Sequence, residues 1–237
     1  MLIDPRALEH DLERLEHIEK ASLRLVVQAI VDFRKDAIAV FREESDLVAD
    51  IGEDITREAL DRLGMSKIDQ RLFGKIDYKR ARYVFNSEYA VKQALFVDSK
   101  AEKVSGQGTA TLQTSQLSMT VHQKRAGQEV TVAGKLPPVL RIRDDDFITT
   151  TVFVKYNYAD GPGRKSLDTI TLAALPNGFL QAKYNPDASD TIWLAGRNAP
   201  SRGEEFRVRL SFHRLKQKCP WRVQQVPMPP EPFQWSE

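Results

Sequence analysis

Two acidic residues and a lysine in one stretch of the chain have the types and spacing of a metal-dependent hydrolytic site. An apolar run, 94–97, ends in Asp98, Ser99 and Lys100. In a strand, side chains at i and i+2 share a face, so Asp98 and Lys100 project together. Asp77 lies upstream in a second strand-like run, and its carboxylate joins them if the two strands are neighbours.

This trio predicts hydrolysis of a phosphodiester with the help of Mg²⁺. A hard cation takes oxygen ligands, which the carboxylates of Asp77 and Asp98 supply, with the carbonyl of Ser99 as a third. The metal polarises the scissile phosphate and acidifies a water. Lys100 would orient that water and offset charge that develops on the phosphate in the transition state.

The sequence offers a second way to draw the same site. Asp77-Tyr78-Lys79 has the same D-x-K spacing as the tripeptide that begins at Asp98. In that case the upstream acid is one of three residues, Asp54, Asp61 or Asp69. We favour the tripeptide at Asp98, because it follows a buried apolar strand where a cleft is expected. A surface ion pair is the alternative to both versions of the site.

Composition places the chain among ordinary globular proteins of one domain or two. It has 237 residues and a net charge of +2, and its apolar runs stay well below the ~20 residues that span a bilayer. The single cysteine, Cys219, excludes an internal disulfide, and zinc-type Cys/His spacing is absent. Residues 1–19 lack the apolar core of a secretory signal, so we expect a cytoplasmic location.

Basic residues are concentrated in two stripes, although the chain as a whole is nearly neutral. Residues 197–222 contain eight Lys/Arg and two glutamates, and residues 71–82 contain five Lys/Arg and one aspartate. Such stripes predict an oriented face that binds a polyanion, and solvated surfaces are the alternative.

Hydrophobic periodicity predicts helices first and strands later. Apolar residues recur at helical spacing over 5–43 and 46–63, after a capping Asp4-Pro5 and before a terminating Gly64. The residues that begin at Asp54 are typical of a helix start, so we expect Glu53 and Asp54 to cap the helix of the 46–63 segment. A supporting role for either acid at the metal site is the alternative.

Short apolar runs predict strands over four segments, 129–133, 139–142, 149–158 and 168–174. Residues 109–121 are expected to form a turn into a short helix. In 204–213, Val208 and Leu210 face a core, and Arg207 and Arg209 face outward. Two arginines on one strand face can read guanine edges in a DNA groove, and a solvated strand face is the alternative. The proline-rich tail, 227–237, is expected to pack as an extended strap, on this chain or on another subunit.

Several long segments in the same order resemble the SfiI-like type II restriction endonucleases of the PD-(D/E)xK superfamily. They are DITREAL (54–60), IDYKR (76–80), LFVDSKA (95–101), TLQTSQLSM (111–119), KYNPD (183–187), RGEEFRVRL (202–210) and RLKQKCPWR (214–222). The resemblance implies an α/β fold with a mixed central β-sheet flanked by helices. It also selects Asp77, Asp98 and Lys100 as the catalytic trio, although Ile76 replaces the proline of the motif.

The same resemblance implies an Mg²⁺-dependent enzyme that cuts double-stranded DNA at an interrupted, G·C-rich palindrome. It implies a homotetramer, with a dimer as the alternative. We expect one domain over 1–237, with a helical part (5–63), a catalytic sheet (71–174) and a reading strand with its strap (183–237). The predicted DNA-binding residues are Arg207, Arg209, Arg202, Lys183, Lys79 and Arg80. The alternatives are a nuclease specific for junctions or damaged DNA and a DNA-binding protein that does not cut.

Overall fold

A computed structural model describes residues 2–43, 48–66, 82–106, 108–161, 164–194 and 207–237. In these ranges the α-helices are α1 (Leu12–Glu43), α2 (Val48–Asp61), α3 (Gln181–Tyr184) and α4 (Phe212–Lys218). The strands are β1 (Arg82–Asn86), β2 (Val91–Lys103), β3 (Thr109–Gln113), β4 (Val121–Arg125), β5 (Gln128–Val132), β6 (Val139–Ile142), β7 (Asp145–Gly161), β8 (Arg164–Leu175), β9 (Trp193–Leu194), β10 (Arg207–Ser211) and β11 (Val223–Pro227). The chain is therefore α/β, as predicted.

The first helical segment begins with a 3₁₀ turn, Pro5–His10, and continues as α1. Asp4 caps the turn as predicted, because its side chain accepts a hydrogen bond from the backbone N–H of Arg6 at 2.9 Å. Buried side chains recur along α1 at helical spacing: Leu15, Ile18, Leu23, Val26 and Ile30. The helical prediction for 5–43 is confirmed.

The second helix, α2, confirms the helical prediction within 46–63. Its buried face consists of Ile51, Ile55 and Ala59. Gly64 follows with φ +67°, the left-handed conformation that commonly ends a helix. The predicted helix start at Asp54 is wrong, because the apolar repeat already begins at Ile51. Glu53 and Asp54 therefore lie in the middle of α2 and do not cap it.

The central sheet is mixed and has the order β1-β2-β7-β8-β11, with β6 paired to the start of β7. Strands β2 and β7 are parallel, and the other neighbours are antiparallel. The register of the parallel pair places Asp98 beside Phe153 and Lys100 beside Lys155. The strands predicted over 129–133, 139–142, 149–158 and 168–174 are confirmed by β5 to β8.

Both faces of the central sheet are covered. Helices α1 and α2 pack on the face that carries Leu95, Val152 and Leu172. On the opposite face, Phe153 and Ala173 belong to a core shared with a smaller sheet of order β3-β10-β9. Strands β4 and β5 form a separate hairpin. Strand β2, which carries Asp98 and Lys100, is thus held between helix α2 on one side and the smaller sheet on the other.

The smaller sheet overturns one prediction and shortens another. Residues 109–121 were expected to turn into a short helix, but β3 is a strand followed by a single 3₁₀ turn, Thr114–Gln116. The strand expected over 204–213 is confirmed from Arg207 and ends at Ser211, because the side chain of Ser211 caps α4. Residues 204–206 lie outside the described ranges, as does the predicted strand-like run before Arg82.

The C-terminal tail packs along α1 of its own chain. The side-chain amide of Gln224 binds the backbone of Ser236 twice, at 2.9 Å in both cases. Phe233 and Trp235 pack against the core beside α1, and Arg34 donates to the carbonyl of Glu231 at 3.1 Å. The prediction of an extended strap is confirmed on the same chain.

None of the helices in the described part of the chain is long and apolar enough to cross a membrane.

Candidate active site

A cleft of about 640 Å³ lies between α2, the carboxyl-terminal half of β2 and the smaller sheet. Among the side chains that line it and could act on a ligand are Glu53, Asp98, Lys100, Thr111, Gln113 and Arg207. The structure thereby brings together the tripeptide predicted to cut and one arginine of the strand predicted to read. These residues are distant in sequence, and only the packing of the two sheets brings them to one cavity.

The alternation of β2 separates its polar side chains into two sets. Asp98 and Lys100 line the cleft on the face that they share with Glu102. Ser99 points to the opposite face, where its hydroxyl donates to the carbonyl of Gly52 at 3.1 Å. The hydroxyl of Ser99 is therefore used to attach the strand to α2, which leaves its backbone carbonyl as the predicted metal ligand.

Lys100 is held by a chain of ionic contacts that the sequence did not reveal. Its Nζ lies 2.9 Å from Glu102 Oε1, and Glu102 Oε2 lies 2.7 Å from Lys155 Nζ. Burial raises the pKa of the Glu102 carboxyl, but hydrogen bonds from Lys155 and Lys100 outweigh it and hold that pKa below its ordinary value. Burial lowers the pKa of Lys155, and its hydrogen bond to Glu102 offsets part of this.

Helix α2 approaches β2 closely at this point. A Cβ atom on Gly52 would lie 3.3 Å from the backbone nitrogen of Ala101 and 3.2 Å from Cδ2 of Tyr156. Thr56, one turn later, shares a 2.8 Å hydrogen bond with the hydroxyl of Tyr156. Because Gly52 lacks a side chain, α2 can bring Glu53 to the edge of the cleft.

Two of the three acids that could serve the second tripeptide have other partners, and the third, Asp69, lies outside the described residues. Asp61 lies 2.8 Å from Arg82 across an ion pair, and Asp54 pairs with Arg57 on the exposed face of α2. Neither Asp54 nor Asp61 is among the described residues that line the cleft. The described acids therefore favour the tripeptide at Asp98 over the one at Asp77.

Strand β10, the strand predicted to read DNA, has the alternation that its sequence predicted. Val208 and Leu210 are fully buried in the core, and Arg207 and Arg209 lie on the other face. Antiparallel pairing places Gln113 beside Arg207 and Thr111 beside Arg209. The cleft is thus bordered by the guanidinium of Arg207, the amide of Gln113 and the hydroxyl of Thr111 on adjacent strands, all of which can bind base edges.

The remaining predicted residues are not brought to this cleft by the described structure. Asp77, Lys79, Arg80 and Arg202 lie outside the described residues. Lys183 is in α3, where its Nζ lies 2.6 Å from Glu16 of α1. Its predicted contact with DNA stays a prediction.

The donor set in the cleft fits a hard divalent cation. Asp98 and Glu53 present carboxylate oxygens to one cavity, and oxygen is the ligand atom that Mg²⁺ prefers. No cluster of three or more His, Cys, Asp and Glu side chains occurs among the described residues. A cation here would therefore retain several waters, as Mg²⁺ commonly does, or take a further carboxylate from the undescribed segment that contains Asp77.

Comparison with known proteins shows the family. The model of the family "Type II restriction enzyme SfiI" matches residues 23–226. The type II restriction enzyme SfiI from Streptomyces fimbriatus is 36% identical over 233 residues, which cover 92% of this chain and 86% of that enzyme. This chain belongs to the SfiI family of type II restriction enzymes. It is accordingly a restriction endonuclease, a class of hydrolase, and the predicted resemblance is confirmed.

Solved structures of restriction endonucleases share the fold. A tetrameric SfiI bound to cognate DNA superposes with a TM-score of 0.84 and 34% identity, covering all of this chain and 91% of that one. BglI bound to its DNA recognition sequence gives a TM-score of 0.74 at 19% identity, covering 95% and 94%. The mixed sheet with its flanking helices is thus the PD-(D/E)xK-like fold that the resemblance implied.

Within this SfiI-family fold, sequence reasoning missed two groups beside the predicted lysine. Glu102 lies two residues after Lys100, so the alternation of a strand already predicts that its side chain shares a face with those of Asp98 and Lys100. Lys155 interrupts an apolar run, Val152–Tyr156, and a charged residue inside such a strand indicates a buried partner. The sequence does not show that Glu102 and Lys155 are partners, because that depends on the parallel pairing of β2 with β7.

Proposed function

We propose that this chain cuts double-stranded DNA at an interrupted, G·C-rich palindrome in a reaction that depends on Mg²⁺. The observation that carries the proposal is the cleft lined by Asp98, Lys100 and Arg207. A cutting strand and a reading strand contribute to the same cavity. Family membership and the likeness to SfiI bound to cognate DNA support duplex DNA as the ligand.

The cutting chemistry is assigned to Asp77, Asp98 and Lys100. The carboxylates of Asp77 and Asp98, with the carbonyl of Ser99, would hold the cation. When bound, Mg²⁺ would supply Lewis acidity toward the scissile phosphate and the attacking water. The ammonium of Lys100 donates hydrogen bonds to that water and to a phosphate oxygen, which places positive charge where negative charge develops.

Recognition is assigned to the smaller sheet. A guanidinium can donate two hydrogen bonds to O6 and N7 of one guanine, so Arg207 and Arg209 suit a target rich in G·C pairs. The remaining proposed DNA contacts are Arg202, Lys183, Lys79 and Arg80. A palindromic target has a two-fold axis, and a symmetric oligomer matches it. Since the similar SfiI structure is a tetramer, we propose a tetramer here, working in the prokaryotic cytoplasm.

Digestion of a large DNA tests the proposal directly. Discrete fragments are expected with Mg²⁺ and none with EDTA, and sequencing of the fragment ends gives the target, its spacer and the cut position. Random products in place of discrete fragments would contradict a site-specific activity. A preference for branched over linear duplex would instead indicate a structure-specific nuclease.

Single substitutions test the assignment of the trio. Asp98→Ala is expected to abolish cutting while Ca²⁺-supported DNA binding remains. The matched control is Asp32→Ala, which removes an exposed carboxylate from α1 and leaves cutting intact. Asp77→Asn should be inactive in either version of the site, so Asp98 and Asp69 decide between the tripeptides. Inactive Asp98→Asn with active Asp69→Asn selects the tripeptide at Asp98, and the reverse pattern selects the one at Asp77.

A further inference from the structure

Glu102 bridges two lysines of very different exposure. One carboxylate oxygen lies 2.9 Å from Nζ of Lys100, whose side chain is 39% exposed toward the cleft. The other lies 2.7 Å from Nζ of Lys155, whose side chain is 1% exposed. Lys155 also donates to the carbonyl of Thr109 at 2.5 Å. A continuous chain of contacts therefore links the lysine in the cleft to the first residue of β3.

Strand geometry produces this chain of contacts. Lys100 and Glu102 are at i and i+2 of β2, so their side chains share a face. Lys155 lies beside Lys100 in the parallel pairing of β2 with β7, and its side chain points in the same direction. The two lysines thus flank one carboxylate, which is anchored from the buried side.

A buried lysine destabilises a fold unless its charge is paired and its N–H groups are bonded. An apolar residue at position 155 would fill the same core without that cost. Lys155 instead provides a fixed counter-charge for Glu102 and a hydrogen bond to Thr109. Its placement indicates a role in holding Glu102 that packing alone does not require.

An anchored carboxylate is useful to Lys100 because the lysine side chain is long and flexible. An ammonium group has three donors. If Glu102 accepts one of them, the rotation of the group is restricted and two donors remain for the attacking water and the phosphate. Fixing a reactive group in its working geometry raises the rate without adding any contact to the substrate.

The anchor also lies against the recognition sheet. Thr109 pairs with Ser211 in the antiparallel register of β3 with β10. The positive charge of Arg209 contributes to the electrostatic environment of Lys155. The lysine predicted to cut and the strand predicted to read are therefore connected through Glu102 and Lys155.

We infer that Glu102 is a positioning residue for Lys100, and that buried Lys155 holds Glu102 in place against the start of the recognition sheet. This inference rests on the proposed role of Lys100 in cutting. Glu102 touches Lys100 and is assigned no contact with the scissile phosphate. Its removal should therefore slow the chemical step and leave DNA affinity unchanged.

The test measures single-turnover cutting of the target duplex with Mg²⁺ and the Kd for the same duplex with Ca²⁺. Glu102→Gln keeps the size of the side chain and removes its charge. We expect its cutting rate to fall about 10- to 100-fold, as for a misplaced reactive group, with Kd within about twofold of the wild type. Glu102→Asp keeps the charge and should retain more activity than Glu102→Gln.

The chain offers a matched control in the next pair along the same two strands. Lys103 of β2 pairs with Asp160 of β7 at 2.6 Å, but both side chains are largely exposed. Asp160→Asn removes a carboxylate from a lysine of β2 that does not line the cleft. Its cutting rate should equal that of the wild type.

Lys155→Met should slow cutting to a similar extent as Glu102→Gln. If Lys155→Met does not fold, the cutting rate of Glu102→Gln alone tests the inference. A Glu102→Gln rate within about threefold of wild type would overturn the inference, as would a loss of affinity equal to the loss of rate. Lys100→Ala separates this inference from the proposed function. If Lys100→Ala cuts normally, the role of Lys100 fails and the inference fails with it; if only Glu102→Gln cuts normally, the inference fails alone.

Discussion

Glu19 Oε2 and Arg222 Nη2 lie 2.5 Å apart, although the two side chains are only 2% and 0% exposed. The pair joins α1 to the 3₁₀ turn that precedes β11. Glu19 also accepts a hydrogen bond from the backbone N–H of Asn177 at 2.7 Å. One carboxylate therefore connects three segments that are far apart in the sequence.

Removal of this carboxylate should destabilise the fold strongly. In Glu19→Ala the buried guanidinium of Arg222 keeps Glu16, at 3.2 Å, as its one carboxylate partner among the described residues. Breaking a buried ion pair from one side costs about 3 kcal/mol or more, to be measured by denaturant unfolding at fixed protein concentration. Asp36→Asn is the control, because it breaks an exposed pair with Arg62 and should cost less than about 1 kcal/mol. Equal losses in the two variants would contradict a special role for the buried pair.

Acid should destabilise the protein partly through Glu16. Burial raises the pKa of the Glu16 carboxyl, but hydrogen bonds from Lys183 and Tyr184 and the charge of Arg222 outweigh it and leave that pKa below 4.5. A carboxyl whose pKa is lowered by folding stabilises the protein above the pKa of its unfolded state. That contribution is lost as the pH falls through the folded-state pKa.

The free energy of unfolding should therefore fall as the pH drops below about 4.5, the ordinary carboxyl value. In Glu16→Gln this dependence on pH should be weaker than in the wild type, as measured by urea unfolding across the acid range. Glu13→Gln, an exposed glutamate of the same helix, should retain the wild-type dependence. Identical curves for Glu16→Gln and the wild type would refute the assignment.

Gly52 permits the close contact of α2 with β2, so a larger residue there should disturb the site. A Cβ atom would already lie 3.4 Å from the carbonyl carbon of Lys100 and 3.3 Å from the nitrogen of Ala101. We expect Gly52→Val to destabilise the fold by about 1–3 kcal/mol through overpacking, and to reduce cutting because β2 shifts. The melting temperature and single-turnover rate measure the two effects.

Gly108 provides the comparison for Gly52, because no atom lies within 4 Å of a Cβ built there. Gly108→Val should change stability by no more than about 0.5 kcal/mol, as is usual for a substitution on an open surface. If Gly52→Val were as well tolerated as Gly108→Val, the contact of α2 with β2 would not be tight enough to position the site.

Arg209 should determine sequence preference rather than general affinity. Loss of one bidentate contact to guanine in Arg209→Ala should remove about 1–3 kcal/mol of discrimination between the target and a duplex with one changed base pair. The measurement is Kd for both duplexes with Ca²⁺ at one salt concentration. Lys183→Ala is the comparison, since a lysine on a phosphate affects all sequences equally. A uniform loss for Arg209→Ala would reassign that arginine to the DNA backbone.

The local parts of the site were predictable because they depend on periodicity. Alternation placed Asp98 and Lys100 on one strand face and Arg207 and Arg209 on another, and helical spacing predicted α1 and α2. These patterns require only that one side of an element be apolar. The spacing of nearby residues within one helix or strand is then enough to determine which side chains project from the same face.

The errors came from contacts between distant segments. Residues 109–113 form β3 because β10, about a hundred residues later, supplies their hydrogen-bond partners. A prediction from a short segment of sequence cannot take account of a strand partner that lies so far along the chain. The helix start was misplaced at Asp54 for a related reason, since burial of Ile51 against the sheet extends α2 beyond the capping signal.

The sequence by itself determined the family, the D-x-K tripeptide at Asp98 and the alternating arginines of the reading strand. The tertiary structure decided that the tripeptide and Arg207 lie in one cleft, and that Lys155 reaches Glu102 behind Lys100. The physical reason is that alternation along one strand determines only which of its own side chains share a face. The register of β2 with β7 and the packing of the smaller sheet determine which faces meet, and both depend on residues far apart in the chain.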